Sequence, residues 1–172
     1  MEIPVSSDIT IRSWRKNDSL DLVKHANNKK IADFLRDVFP YPYTLRDADM
    51  WISFASNQNP QRNFAISKND SAIGGIGVSL RTDVYARNAE IGYWLGEPHW
   101  GKGIMTSCVV SFSHWVFDFF NVHRIFASVF HGNAASRRLL EKAGFRHEGT
   151  HKQAVYKNEC YLDEHIYAII RD

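Results

Sequence analysis

The chain has 172 residues, enough for one well-buried core and short for two. Hydrophobic residues make up 44% and charged residues 23%, ordinary values for a globular protein, so disorder is not expected. The formal net charge is +2 and no run of five or six basic residues occurs, which gives no support to a nucleic-acid partner. We therefore expect a single domain spanning residues 1–172.

Targeting and redox signals are weak. The segment Met1-Glu2-Ile3-Pro4 lacks the basic and apolar parts of a secretory signal, and no apolar run approaches the roughly 18 to 20 residues that cross a bilayer. Cys108 and Cys160 are too few for a disulfide framework and have no C-x-x-C spacing. We expect a cytoplasmic protein with no membrane partner.

The first third of the chain predicts one strand followed by helices. Residues 9–12 alternate like a strand, and Asn17 or Asp18 is placed to cap a helix that runs to Ala26. Helical spacing of apolar residues over 31–38 predicts a second helix. Thr44, with Asp47 three residues later, predicts the N-cap of a third.

The middle of the chain reads as a hairpin, with residues 64–66 and 72–80 as its arms around 68–71. The second arm contains Gly74, Gly75 and Gly77. Glycine weakens a strand, so these positions predict a bulge or the close approach of another backbone. A polar connection over 81–88 leads to the next strand, residues 89–96.

The second half predicts a crossover and a closing pair. Apolar residues from Ile104 to Phe120 form a broad helical face, and residues 124–130 return to strand alternation. A strand, a helix and a strand connect in a right-handed crossover, so the two strands should be parallel. Residues 145–155 and 161–170 predict an antiparallel pair.

Two short motifs carry chemistry. Gly101-Lys102-Gly103 lies just before the long helix, where free backbone N–H groups and the helix dipole favour an anion. Alone, this pattern is also typical of a plain tight turn. A dinucleotide fingerprint requires a third glycine where Thr106 stands, which disfavours a Rossmann site.

The second motif begins at Asn133. Its side chain is placed to accept a hydrogen bond from the N–H of Ser136 as a helix N-cap. Gly144 supplies the matching C-terminal stop. Helix capping explains Asn133 and Gly144. It does not explain Ser136, whose hydroxyl falls in the first turn.

In this order the motifs resemble the GNAT superfamily of acetyl-CoA-dependent N-acetyltransferases, and within it the ribosomal-protein N-terminal acetyltransferase branch. The resemblance covers roughly residues 8–170. It rests on five segments: 42–44, 74–77, 90–95, 100–105 and 133–145. It implies an α+β fold: a mostly antiparallel mixed sheet with one parallel, splayed pair, flanked by helices. The thioester arm would lie between the strands that end near Leu95 and Phe130.

The resemblance also implies site residues. It assigns the pyrophosphate of acetyl-CoA to backbone N–H groups of Gly101, Lys102, Gly103, Ile104 and Met105. It assigns the pantetheine arm to Asn133 and to the strand backbone at Tyr93, Trp94 and Leu95. Ser136 would donate a proton to the departing thiolate, and N–H groups near Leu95 would polarise the thioester carbonyl. No metal is expected.

The general base is the main departure from the resemblance. Related ribosomal-protein enzymes have a glutamate after a Lys-Gln-Ala run, and Val155 stands there in this chain. Either another group accepts the proton, with Glu90 acting through a water as the best candidate, or little base help is needed. An α-amine of pKa about 8 is roughly one-tenth neutral at pH 7, and deprotonating it costs about 1 kcal/mol, against about 5 for a lysine.

These observations predict acetyl transfer to a primary amine by direct attack, because neither cysteine has an obvious base beside it. A peptide N-terminal α-amine is the expected acceptor. A polyamine or antibiotic acetyltransferase is the enzymatic alternative, and a non-catalytic acyl-CoA-binding module is the alternative from another class. The protein is expected as a monomer or homodimer.

Overall fold

The computed structural model describes residues 1–171, which form eight strands, five α-helices and three short 3-10 helices. The strands are β1 (Glu2–Pro4), β2 (Ile9–Arg12), β3 (Asn63–Lys68), β4 (Ser71–Leu80), β5 (Asn88–Leu95), β6 (Arg124–Phe130), β7 (Arg146–Lys157) and β8 (Cys160–Ile170). The helices are α1 (Ser19–Ala26), α2 (Lys29–Ala32), α3 (Leu45–Ser56), α4 (Ile104–Phe120) and α5 (Ala134–Lys142).

The chain forms two compact units. The first contains residues 1–77 and 92–104, and the second contains residues 78–91 and 105–171. Strands β4 and β5 each contribute residues to both units.

Antiparallel pairing builds the sheet of the first unit. Its strands follow the order β1-β2-β3-β4, with Ile11 facing Ile66 and Phe64 facing Ile76. Asn69 and Asp70 turn the β3–β4 hairpin with φ of 46° and 70°, as the sequence predicts. Beside the sheet lies an apolar cluster from α1, α3 and the strands: Trp14, Leu22, Ala26, Tyr43, Ala48, Ile52, Ala55, Ala65 and Ala72.

Two helices of the first unit, α2 and α3, begin at capping side chains, whereas Asp18 before α1 makes no side-chain capping hydrogen bond. Thr44 accepts from the backbone N–H of Asp47 and its own N–H donates to the Asp47 carboxylate, so α3 begins where the sequence predicts. The prediction of a helix over 31–38 is wrong. Asn28 caps a helix that ends at Ala32, and Val38 is 80% exposed, so the apolar spacing does not mark one buried face.

The second unit contains the predicted parallel pair. β5 and β6 pair in parallel, with Ala89 facing Ile125, while β8 pairs antiparallel with both β6 and β7. Its strand order is β5-β6-β8-β7. The helix α4 buries Cys108, Val109, Phe112 and Val116 completely. The mixed sheet with one parallel pair, flanked by helices, is confirmed. Among residues 1–171, no helix is long and apolar enough to span a membrane.

The predicted close approach at the β4 glycines is also present, within the first unit. A Cβ added at Gly74 would lie 2.5 Å from the carbonyl oxygen of Trp94 and 3.1 Å from the Cα of Leu95. One added at Gly75 would lie 2.7 Å from the Trp94 indole nitrogen. The contact at Gly74 is with main chain, which cannot rotate away as a side chain can.

We expect Gly74→Ala to lower the free energy of unfolding by about 1 to 3 kcal/mol, because the added methyl overpacks against backbone. Urea denaturation followed by circular dichroism measures the change. Gly92→Ala is the matched control, since its Cβ would meet no atom within 4 Å. Equal stability of the two variants would contradict the close contact.

Candidate functional site

The glycine turn before α4 has the geometry expected of an anion-binding turn. Gly101 and Gly103 have φ of +72° and +75°, a region that side chains rarely adopt. Both are exposed, as is Lys102, and a Cβ at either glycine would meet no atom within 4 Å. The backbone is therefore open to a ligand from outside the chain. Ile104 begins the helix half-buried and Met105 is buried.

Side-chain contacts hold this turn to the end of β5. The indole N–H of Trp100 donates to the carbonyl of Leu95 at 2.6 Å, and the ammonium of Lys102 donates to the carbonyl of Pro98 at 2.7 Å. Leu95 is buried, whereas Tyr93 and Trp94 are half-buried. The Lys102 contact places its positive charge beside the turn.

The segment between β5 and the turn packs on α1 and α2. The carboxylate of Glu97 accepts from Lys30 and Asn28, and these contacts lower the pKa of Glu97. The rings of His25 and His99 lie 5.3 Å apart. Burial lowers the pKa of both histidines, so these rings favour the neutral form.

In the second unit, the N-terminus of α5 forms as the sequence predicts. The side-chain oxygen of Asn133 accepts from the backbone N–H of Ser136 at 3.1 Å, and the Asn133 N–H donates to the carbonyl of Phe130 at 3.2 Å. The cap therefore ties α5 to the last residue of β6. Ser136 is half-buried in the first turn.

The basic residues of α5 do not form one equivalent group. The Nε of Arg137 donates to the hydroxyl of Tyr167, which in turn donates to Glu141. Hydrogen bonding to Tyr167 raises the pKa of Arg137. Arg138 and Lys142 are exposed. The Nε of Arg137 therefore has a structural role, because it holds α5 to β8 through Tyr167.

Glu90 lies on β5 in an ion pair. Its Oε2 accepts from Arg81 at 3.0 Å, and the Arg81 guanidinium lies 5.2 Å from the centre of the Phe126 ring. Arginine stays protonated in proteins, so it cannot carry a proton away from Glu90. The sequence did not indicate this partner, because residues 81–88 read only as a polar connection.

The two cysteines differ in exposure, and Cys108 is poorly placed for an acyl-enzyme. Cys108 is fully buried, and burial raises the pKa of its thiol to about 12. Cys160 is exposed at the start of β8. Among the described residues, no group of three or more histidine, cysteine, aspartate or glutamate side chains is arranged to hold a metal ion.

A histidine–carboxylate pair on β7 and β8 was missed by the sequence interpretation. His151 lies directly opposite Glu164, and the His151 Nδ1 is 3.1 Å from the Glu164 Oε2. At the hairpin end, Tyr156 faces Tyr161, and continuing that register would place Gln153 opposite Glu164. An irregularity between His151 and Val155 shifts the pairing by two residues. No local sequence signal gives this shift.

The fold and these motifs define the class of protein, and the comparisons agree. Residues 8–146 match the family model described as acetyltransferase (GNAT) domain. The chain belongs to the GNAT acetyltransferase family, which confirms the resemblance.

Curated relatives differ in what they act on. YoaA of Bacillus subtilis, an uncharacterized N-acetyltransferase, is 36% identical over 99 residues, 58% of this chain and 55% of the relative. The ribosomal-protein-serine acetyltransferase of Escherichia coli is 35% identical over 109 residues, 63% and 60% of the two chains. The spermidine N(1)-acetyltransferase of Vibrio cholerae is 22% identical over 160 residues, 92% and 91%. The chain spans a little over half the length of YoaA and of YjcK of Bacillus subtilis, 55% and 58%.

Solved structures share the fold across the chain. RimL, a ribosomal L7/L12 alpha-N-protein acetyltransferase in complex with coenzyme A, has a TM-score of 0.87 at 24% identity, covering 100% of this chain and 99% of that one. A GNAT-family acetyltransferase from Bacillus anthracis has a TM-score of 0.85 at 21% identity, covering 99% and 98%. At these identities the likeness shows the fold.

We expect Asn133→Ala to lower the free energy of unfolding by about 1 kcal/mol, because the N–H of Ser136 loses its acceptor. Asn133→Asp should retain most of the stability, since a carboxylate also caps a helix. Thermal unfolding of the three proteins measures both effects. Equal destabilisation by both substitutions would contradict a capping role.

Proposed function

We propose that the protein transfers the acetyl group of acetyl-CoA to a primary amine by direct attack. The observation that carries this proposal is the open, positive-φ glycine turn at the start of α4, in a chain of the GNAT family. Its backbone N–H groups, from Gly101 to Met105, would bind the pyrophosphate, and the charge of Lys102 adds to the attraction. Crystal complexes of two structural neighbours contain coenzyme A or acetyl-CoA.

The remaining contacts to acetyl-CoA are assigned from the family pattern. Tyr93, Trp94 and Leu95 would bind the pantetheine arm through their backbone, as would Asn133. An N–H near Leu95 would polarise the thioester carbonyl and lower the activation free energy by roughly 3 kcal/mol. Ser136 would donate a proton to the departing thiolate. Burial of the Cys108 thiol supports direct attack over an acyl-enzyme.

The proposed acceptor is a peptide N-terminal α-amine of the ribosomal-protein type. The relative that acetylates a ribosomal-protein serine, at 35% identity, supports this choice. An acceptor of that kind would place the enzyme in the cytoplasm. Polyamine acetylation is the second candidate, supported by the spermidine enzyme that aligns over 92% of the chain. That the protein is a monomer or a homodimer stays a prediction.

A screen of acceptors tests the activity. Peptides with N-terminal serine or alanine, spermidine and an aminoglycoside are each incubated with acetyl-CoA, while released thiol and acetylated product are measured. We expect acetylated peptide as the main product. If acetylated spermidine were the main product, a polyamine would replace the peptide as the assigned acceptor. Tight acetyl-CoA binding without transfer to any amine would favour a non-catalytic module and contradict the proposal.

We expect Gly103→Ala to weaken acetyl-CoA binding at least tenfold, because a methyl group beside the turn keeps phosphate from the N–H groups and the positive φ resists a side chain. Calorimetry measures the affinity. Gly144→Ala is the matched control, since Gly144 also has positive φ, 90°, but lies at the end of α5. The same affinity in both variants would contradict the phosphate assignment.

We expect Ser136→Ala to lower kcat by roughly 10- to 1,000-fold with little change in acetyl-CoA affinity, as for a group that acts on the leaving thiolate. Steady-state rates and calorimetry separate the two quantities. Ser79→Ala, at an exposed strand position, should leave both unchanged. A full rate in Ser136→Ala would leave Ser136 as a helix residue without a chemical role.

A further inference from the structure

The β7–β8 hairpin carries an imidazole held by a carboxylate. The His151 Nδ1 and the Glu164 Oε2 are 3.1 Å apart, and Glu164 has only 21% of its side chain exposed. An ionised carboxylate can only accept, so the Nδ1 of a neutral His151 carries the proton. The other ring nitrogen, Nε2, is then an acceptor. The His151 side chain is 63% exposed, so its ring is open to a ligand and to solvent.

The register places this pair next to the end of β6. Glu164 lies directly opposite Phe130, the last residue of that strand. The carbonyl of Phe130 accepts from the N–H of Asn133, whose side chain caps Ser136. A continuous set of backbone and cap contacts therefore joins Glu164 to the helix start that carries Ser136.

The pair also shares a face of the sheet with Val155. Directly opposite residues of an antiparallel pair project to the same side, and residues two apart on a strand do so too. Val155 faces Leu162, and Leu162 lies two residues from Glu164. Val155 itself cannot accept a proton. The bulge brings His151 opposite Glu164. The face of the sheet that carries Val155 thus gains a proton acceptor, which Val155 itself does not provide.

Glu90, the acceptor suggested by the sequence, is less suited to this work. Its carboxylate is paired with Arg81, a permanent cation that cannot pass a proton on. His151 can take a proton at Nε2 while Glu164 stabilises the resulting imidazolium, and the exposed ring can return that proton to solvent. A base oriented by a neighbouring carboxylate is a recurrent catalytic arrangement.

We propose that His151 is the general base of the transfer reaction and that Glu164 is its positioning residue, an inference that rests on the proposed acetyl transfer. The Nε2 of His151 takes one proton from the substrate ammonium, and the neutral amine attacks the thioester carbonyl. The C–N bond forms and the C–S bond breaks. The second proton of the nitrogen reaches the leaving thiolate, with Ser136 as donor, and His151 releases the first proton to water.

Other titratable groups surround the pair and enter the design of the test. Asp163 is ion-paired with Lys152 on the neighbouring strand. His165 contacts His131 and Thr150, and burial lowers the pKa of His165. His147 contacts Thr150. None of these groups is changed in the variants below, so their contribution to a pH profile is common to all of them.

The experiment compares wild type, His151→Gln, Glu164→Gln and the double variant, with the best amine from the acceptor screen. We expect His151→Gln to lower kcat roughly 100-fold, within the usual range for a general base, with acetyl-CoA affinity unchanged. The acid limb of its kcat/KM profile should move to higher pH. Glu164→Gln should lower kcat roughly tenfold. In the His151→Gln background, the second substitution should cost less than twofold, because the two side chains act as one unit.

Controls separate this inference from the proposed function and from misfolding. Glu148→Gln and His114→Gln remove an exposed carboxylate and an exposed imidazole elsewhere in the same unit and should keep the wild-type rate. His151→Asn replaces His151→Gln if the latter unfolds early. Absence of transfer by the wild type would refute the acetyltransferase proposal itself. Wild-type transfer with less than threefold loss in His151→Gln, an unmoved acid limb or additive losses in the double variant would overturn the assignment of this pair alone.

Discussion

The first unit depends on one steric constraint, the contact of the β4 backbone at Gly74 with the β5 backbone at Trp94 and Leu95. No side chain fits there, so the two main chains meet directly, and the N–H of Gly96 continues the contact by donating to the carbonyl of Ile73 at 2.8 Å. β5 is thereby fixed up to its last residue. The Leu95 carbonyl then accepts from Trp100, which holds the start of the glycine turn. A tightly packed strand thus supports a turn whose own backbone is exposed, as the proposed binding of acetyl-CoA requires.

The second unit is organised around the end of β6. There the Phe130 carbonyl accepts from Asn133, the Asn133 side chain caps α5, and Phe130 faces Glu164 on β8. Acetyl transfer to an amine needs a proton acceptor for the nitrogen and a proton donor for the thiolate. His151 and Ser136 are side chains of suitable chemistry, and each is held through contacts to this same strand end. Burial makes Cys108 unsuited to form an acyl-enzyme, which supports the proposed direct attack by the amine.

Much of the fold could be predicted from sequence because its signals are local. Apolar residues begin to follow helical spacing at Ile104, residues 124–130 alternate like a strand, and Asn133 caps a helix. Each of these signals depends on a few neighbouring residues. Patterns that depended on distant contacts were harder. The apolar spacing of 31–38 resembled a helix, but Val38 is exposed and the chain leaves the helix at Ala32. For the site, the glycine turn and the cap were predictable. The Arg81–Glu90 pair and the His151–Glu164 pair were not, because each depends on how strands pair, and the second depends on a bulge as well.

In the proposed reaction an amine attacks acetyl-CoA directly, in a complex that contains both substrates. Initial rates measured over a grid of acetyl-CoA and acceptor concentrations test it. Direct attack predicts reciprocal plots that intersect, together with one acetylated amine formed for each thiol released. Parallel lines, or acetyl label that remains covalently bound to the protein when the acceptor is omitted, would show an acyl-enzyme and contradict the account.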